Sequence, residues 1–354
     1  NTTASDNTAV GAAALGANTT ASNNTAVGSA ALGANTTGTA NAAMGHTTMT
    51  TNTTGSYNSA FGRDSLGLNT TGSNNVAVGE SALYANTTAS NNTAVGKSAL
   101  VANTTGSENT AVGRLALNTN TTGANNVAMG NAALYSSTTA SDNTAIGNAA
   151  LYANTTGSVN TAMGASALDA NTTGVANTAV GRQALTANTT ANFNSAFGAE
   201  ALVSNVTGAA NTAIGYNALT ANTTDGNTAV GKDALELNTT GVNTAVGTNA
   251  LAANITGTSN TAVGQDALTA NTGSGNTVSG AFAGYSNESG GNNTASGFRA
   301  FQDNTTGSSN VAIGAYALDD NTTASNNTAV GYASLGANTT GDNNSAFGAN
   351  ALAA

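Results

Sequence analysis

Small apolar and polar residues recur along this chain in one fixed order. An asparagine opens a T-A-V-G-like segment, an A-L pair follows, then N-T-T, and the order begins again. The opening asparagine runs from Asn7 to Asn344 in steps of 17, with steps of 16 only at Asn211–Asn227, Asn227–Asn243 and Asn260–Asn276. A fixed period of this kind is the signature of a solenoid, in which each repeat is one structural unit stacked on the last.

Counting that asparagine as position 1, position 5 is glycine in all 21 units, from Gly11 to Gly348. Position 3 is alanine except at Val278, and position 4 is Val, Ile, Met or Phe except at Ser279 and Ser296. Position 9 is leucine except at Met49, Gly284 and Phe301, and position 12 is asparagine except at Ser137. Charges such as Arg63, Glu80, Lys97, Asp169 and Glu108 fall mostly at positions 6–7, 10–11 and 16–17, which are therefore read as solvent-facing.

Thr, Asn and Gly are poor helix formers, and two eight-residue helices would need longer apolar faces. The triplets T-A-V and N-T-T suit short strands instead. The expected fold is all-β: a β-solenoid, or β-roll, of about 21 coils with a 17-residue repeat and two short strands per coil. At about 4.8 Å per coil, such a stack would be a rod of roughly 100 Å. It forms a single repeat domain over 1–354, irregular around 44–51 and 276–303. Each 16-residue step loses a residue after position 12, which places a turn there, because turns tolerate deletion and ladders do not. The glycine at position 5 marks a second turn that needs positive φ or close backbone approach.

Strand alternation puts positions 2 and 4 on one side and position 3 on the other. The aliphatic residues at position 4 suit the inside. The near-invariant alanine at position 3 then implies a second tightly packed face, either a narrow bend within the chain or a contact with neighbouring chains. The apolar side chains of one coil are too few to offset the ordering of seventeen residues. Backbone ladders, stacked asparagines and a further chain are expected to supply the rest.

Composition narrows the function. Only 6% of residues are charged and the net charge is −10, with six Lys plus Arg, which disfavours nucleic acid as a partner. No run of 18 apolar residues predicts a membrane span. With no Cys there are no disulfides or thiolate metal sites, and the lone His46 cannot build a triad or a usual zinc site. Carboxylate pairs such as Asp319–Asp320 read as solvated charge, and Tyr84, Tyr135, Tyr152 and Tyr285, all at position 10, as scattered surface aromatics. No catalytic residue, metal site or cofactor is expected.

Position 12 carries a possible modification pattern. N-x-[ST] occurs at Asn1, Asn18, Asn35, Asn52, Asn69, Asn86, Asn103, Asn120, Asn154, Asn171, Asn188, Asn205, Asn222, Asn238, Asn254, Asn287, Asn304, Asn321 and Asn338. When the middle residue changes, the third stays hydroxylated: N-V-T at Asn205, N-I-T at Asn254, N-E-S at Asn287. Two readings stand: glycan acceptors on every coil, or a stacked amide ladder. Ser137, which keeps its two following threonines, leans toward the ladder. The adjacent threonines at positions 13 and 14 should point to opposite faces, which disfavours a flat ice-binding rank.

The phrases NNVAVGESAL (Asn74–Leu83), NVAMGNAAL (Asn126–Leu134) and NVAIGAYAL (Asn310–Leu318) resemble the head repeats of trimeric autotransporter adhesins. They are also similar to repeats of tail-fibre-like proteins. The resemblance implies a left-handed β-roll packed in threes at a cell surface. Two departures are the added N-T-T segment and the absence of a coiled-coil stalk or membrane barrel. The expected function is an extracellular or cell-surface structural fibre or adhesin shaft that is not an enzyme. Its expected partner is itself, as a head-to-tail filament (the last residue is in phase with the first) or a homotrimer, with covalent glycans. A trimeric adhesin head that binds glycans is the alternative, and an ice-binding solenoid a lesser one.

Overall fold

The computed structural model describes residues 3–353. Among them lie 21 strands of three residues each, one per coil, formed by positions 2–4. The chain divides into two compact units, Asn1–Asn177 and Thr178–Ala354. The first holds β1 (Thr8–Val10) to β10 (Thr161–Met163), the second β11 (Thr178–Val180) to β21 (Ser345–Phe347). Within each unit successive strands pair in parallel and in register. Thr93, Ala94 and Val95 lie against Thr110, Ala111 and Val112 in the first, and Thr244, Ala245 and Val246 against Thr261, Ala262 and Val263 in the second. This is the β-solenoid that the period predicts.

The N-T-T segment does not form a second strand. The N–H groups of Thr36, Thr37 and Gly38 all point at the single carbonyl of Thr53, at 2.9, 3.1 and 3.4 Å. A strand sends successive N–H groups to opposite sides. Three donors converging on one acceptor curl the backbone into a turn instead. Each coil therefore has one strand and a long return path of turns, in which positions 7, 9 and 17 are left-handed, as at Ala30 (φ 59°), Leu32 (φ 52°) and Ala40 (φ 55°).

Glycine at position 5 answers to both of its expected reasons. Gly28 has φ 132°, and a Cβ there would sit 2.3 Å from the carbonyl oxygen of Gly45 in the next coil. No other residue fits a backbone that approaches its neighbour so closely.

The inside and outside of the strand are the reverse of the expectation. From β2 onward alanine at position 3 is buried, while position 4 faces out, half-buried or exposed, with Met44 43% and Phe61 38% exposed. The reason is width. Ala82, Leu83 and Asn86 are all buried in one coil, as is Asn75. With Leu, Ala and two amides already in the interior, the strand opposite has room only for a methyl group. Near-invariant alanine at position 3 is thus the innermost position and not a second interface.

The two irregular segments keep the coil. Met49 occupies the leucine site and is fully buried. At Gly284 the missing leucine is replaced by neighbours. A Cβ there would lie 2.9 Å from Leu268 Cδ2 and 3.7 Å from Cγ2 of Val278, the one position-3 residue larger than alanine. Phe301, at position 9 one coil later, is buried as well. Ser279 and Ser296 stand outside the core. Volume is redistributed here rather than lost.

The 16-residue steps shorten the turn and leave the strand register intact, as Thr212 on Thr228 and Thr261 on Thr277 show. Gly226, Gly241 and Gly275 absorb the deletion at φ 74°, 104° and 75°. In all three places the amide at position 1 reaches straight back to the one at position 12: Asn227 Nδ2 to Asn222 Oδ1 at 3.1 Å, Asn243 to Asn238 at 3.0 Å, Asn276 to Asn271 at 3.1 Å.

Candidate functional site

The position-12 asparagines form an interior ladder. Asn52 Nδ2 donates to Asn35 Oδ1 in the coil before (2.9 Å) and to the Gly55 carbonyl of its own coil (2.9 Å). Both amide hydrogens are then committed. Asn18, Asn35, Asn52, Asn69, Asn86, Asn103, Asn120, Asn154, Asn171, Asn188, Asn205, Asn222, Asn238, Asn254, Asn287, Asn304 and Asn321 are all buried. Asn338 is half-buried, and Asn1 lies outside the described residues. Of the two readings of these residues, glycan acceptor and amide ladder, their burial favours the ladder. An N-linked sugar needs the amide nitrogen, and here that nitrogen is enclosed and already bonded. Asn271, which lacks the acceptor pattern, sits in the same ladder, donating to Asn254 Oδ1 at 3.2 Å and the Gly273 carbonyl at 2.8 Å. The fold, not the pattern, accounts for the asparagine.

A second ladder runs through position 1. The Asn41 N–H donates to Asn24 Oδ1 at 2.9 Å, and its Nδ2 to the Gly55 carbonyl at 2.8 Å. The position-15 carbonyl thus receives both amides of its coil. At Ser137 the position-12 ladder lapses: Ser137 Oγ and Asn120 Oδ1 are buried with no hydrogen-bond partner.

The two threonines differ in environment. Thr104 is half-buried and its hydroxyl donates to the Thr121 carbonyl at 2.9 Å, whereas Thr105 is exposed. Position 13, the bonded one, gives way to Val206, Ile255 and Glu288, yet position 14 keeps its hydroxyl beside each, as Thr207, Thr256 and Ser289.

Charges line up along position 6. Glu80 pairs with Lys97 at 2.9 Å on one side and with Arg63 on the other. The Lys97 bond and charge, then Arg63, hold its carboxyl below the usual range. His46 is exposed, its Nδ1 3.0 Å from Thr47 Oγ1. Among the described residues, no group of three or more His, Cys, Asp or Glu could hold a metal ion, and no helix is long and apolar enough to cross a membrane.

Two surface features stand out. One is the outward strand face, where position 4 presents Met44, Phe61, Val78, Met129 and Met163 in the first unit and Phe197, Ile214, Val246, Val263 and Ile313 in the second. Its residues are visible in sequence, but their outward direction follows from the width of the interior. The other is aromatic. Tyr135 and Tyr152 stack at 5.1 Å. In the second unit a longer chain of rings runs from Tyr285 to Phe282 (6.2 Å), Phe298 (6.3 Å), Tyr316 (5.6 Å) and Tyr332 (5.8 Å). Only Tyr285 of these belongs to the position-10 column. The others stand at positions 6 and 7, and the signal that could have found them is neighbouring columns read together.

No protein-family model matches the chain, and no curated protein matches its sequence.

Proposed function

We propose that the chain is a non-catalytic structural shaft of an extracellular or cell-surface fibre or adhesin, and that it associates laterally with copies of itself through the outward strand face. The observation that carries this reading is the row of exposed Val, Ile, Met and Phe at position 4. A solvent-facing row of that length would ordinarily be polar, and contiguous apolar surface of this kind marks an interaction site. The row repeats with the coil, so the matching partner is another surface with the same repeat, which a second copy supplies. The resemblance to adhesin head repeats points to three copies. Buried amides leave N-linked glycans no part in the proposal.

Sedimentation velocity tests it. The wild-type chain should self-associate, and the triple variant Val78→Lys, Met129→Lys, Met163→Lys should be a monomer with an unchanged far-ultraviolet spectrum. A wild-type chain that stays monomeric at its highest soluble concentration would overturn the reading. Surface labelling of the source cells tests the location.

A further inference from the structure

Tyr84, Tyr135, Tyr152 and Tyr285 stand at position 10, and of these Tyr135 and Tyr152 fall in successive coils, one 17-residue repeat apart. An in-register stack delivers equivalent side chains at about the 4.8 Å spacing of neighbouring strands. The two rings meet accordingly, with centroids 5.1 Å apart and planes 9° from parallel. The coil holds them there from both sides. Leu134 N–H donates to the Ala150 carbonyl at 2.9 Å, and Ser136 N–H to the Tyr152 carbonyl at 3.0 Å. Leu134 and Leu151, the residues just before the rings, are fully buried.

The rings are held together without being enclosed. Tyr152 is 40% exposed and Tyr135 half-buried, so a reagent in solution reaches the pair. The coil does not require aromatic residues here, because the same column carries Asn118 one coil earlier and Asp169 one coil later. Two phenols fixed face to face at the surface share one reaction that neither has alone, which is coupling to each other.

We propose that Tyr135 and Tyr152 are an oxidative cross-linking site, at which hydrogen peroxide, activated by a peroxidase, joins the two rings as an intrachain dityrosine. Each phenol gives up one electron and one proton and becomes a phenoxyl radical, whose unpaired electron is shared with the carbons ortho to oxygen. Two such carbons on the facing rings form the new C–C bond. Their hydrogens then move to the oxygens, restoring both phenols. The protein loses two hydrogen atoms in all, and the peroxide that takes them up becomes two waters. Contact between the rings turns an encounter of two radicals into a step within one molecule. The link closes a loop of one repeat in a chain that has no Cys for a disulfide, and it restricts the unfolded chain as a disulfide would. The site uses position 10, apart from the position-4 face, so it stands or falls independently of lateral assembly.

The full chain, dilute and folded, is treated with a haem peroxidase and hydrogen peroxide, then denatured and cut before its aspartates. Asp142 lies between the two tyrosines in sequence, so they leave in separate peptides unless the rings are joined. The expected product is that peptide pair joined, lighter than its parts by two hydrogen atoms and carrying dityrosine fluorescence, in a yield that does not change on dilution. The linked chain should unfold at a higher urea concentration. Tyr135→Phe keeps a ring in the stack but removes the phenol, so the joined pair should fall to background while the circular dichroism spectrum stays the same. Tyr84, 37% exposed at the same position but followed by Val101 in the next coil, should stay unlinked. The proposal is overturned if no link between Tyr135 and Tyr152 forms at a peroxide dose that couples free tyrosine, or if Tyr135→Phe leaves the joined mass in place. It is equally overturned if the yield falls with dilution, which would make the link one between copies, or if Tyr84 links as readily, which would make exposure and not stacking the cause.

Discussion

Asn24 and Asn35, eleven residues apart, both donate from Nδ2 to the carbonyl oxygen of Gly38, at 3.0 and 2.9 Å. The same pair recurs as Asn92 and Asn103 on Gly106, at 3.0 and 2.9 Å. One carbonyl thereby ties the start of a coil to its return path. Asn92→Ala and Asn103→Ala should each cost about 1–3 kcal/mol, since each strands buried polar groups. Because they share an acceptor, the double variant should depart from additivity by about 0.5 kcal/mol or more in a double-mutant cycle from urea melts. Strict additivity would mean that the shared acceptor does not couple them.

Ser137 offers the opposite experiment. Its hydroxyl and Asn120 Oδ1 are both buried without partners. Ser137→Asn would let the new Nδ2 donate to Asn120 and its Oδ1 accept from Asn154, closing the rung. Stability should rise by about 1 kcal/mol or more, read as a higher urea midpoint. A lower midpoint would show that the extra volume does not fit.

The two threonines of N-T-T should separate cleanly. Thr104→Val removes the bond to the Thr121 carbonyl and should cost about 1 kcal/mol. Thr105→Val touches an exposed side chain and should change stability by less than about 0.5 kcal/mol. Equal losses at both sites would refute the distinction.

The native chain should carry no N-linked sugar on position 12, so an amidase that strips N-glycans should leave its mass unmoved. Sugar released from Asn103 or its equivalents would require a different coil, with that amide outside.

Asp319 gives a pH signature. Its carboxyl sits at about 6 in the fold against 3.8 as an ordinary aspartate. A raised acid favours the native state only while protonated, so this contribution is complete below about pH 4 and is lost as pH rises toward about 6. Asp319→Asn should therefore be more stable than wild type at about pH 8, by about 1 kcal/mol after allowing for solvent screening, and equal to it near pH 4. Thermal melts across that range read the difference. An advantage independent of pH would assign the effect to something other than ionisation.

Much of this fold can be read from the period. The glycine column, the in-register stack and the turn that absorbs the 16-residue steps follow from spacing and backbone sterics. The orientation of the strand does not. Apolar content suggested that Val and Ile at position 4 face inward. What decides is the width left beside Leu83, Ala82 and the two amides, a three-dimensional quantity with no one-dimensional trace. The N-T-T turn is not legible for a related reason: threonine suits strands, but three N–H groups converging on Thr53 override that preference. The position-12 pattern was legible as either sugar or ladder, and burial chose the ladder. The ring chain of the second unit was hidden because its members occupy different columns and meet only when coils are stacked.

The bonds of these amides connect a residue to its own coil or to its equivalent one repeat away, as Asn69 to Asn52 and Asn86 to Asn69 do. Removing or adding one whole repeat of DNA would therefore rejoin the rungs at the junction to equivalent partners, whereas a change of half a repeat would break the rungs there. Replication slippage between such similar coding segments can lengthen or shorten the protein without creating a new contact for selection to repair. The number of coils is thus a heritable dimension that can drift freely, while the sequence within a coil is held by its neighbours.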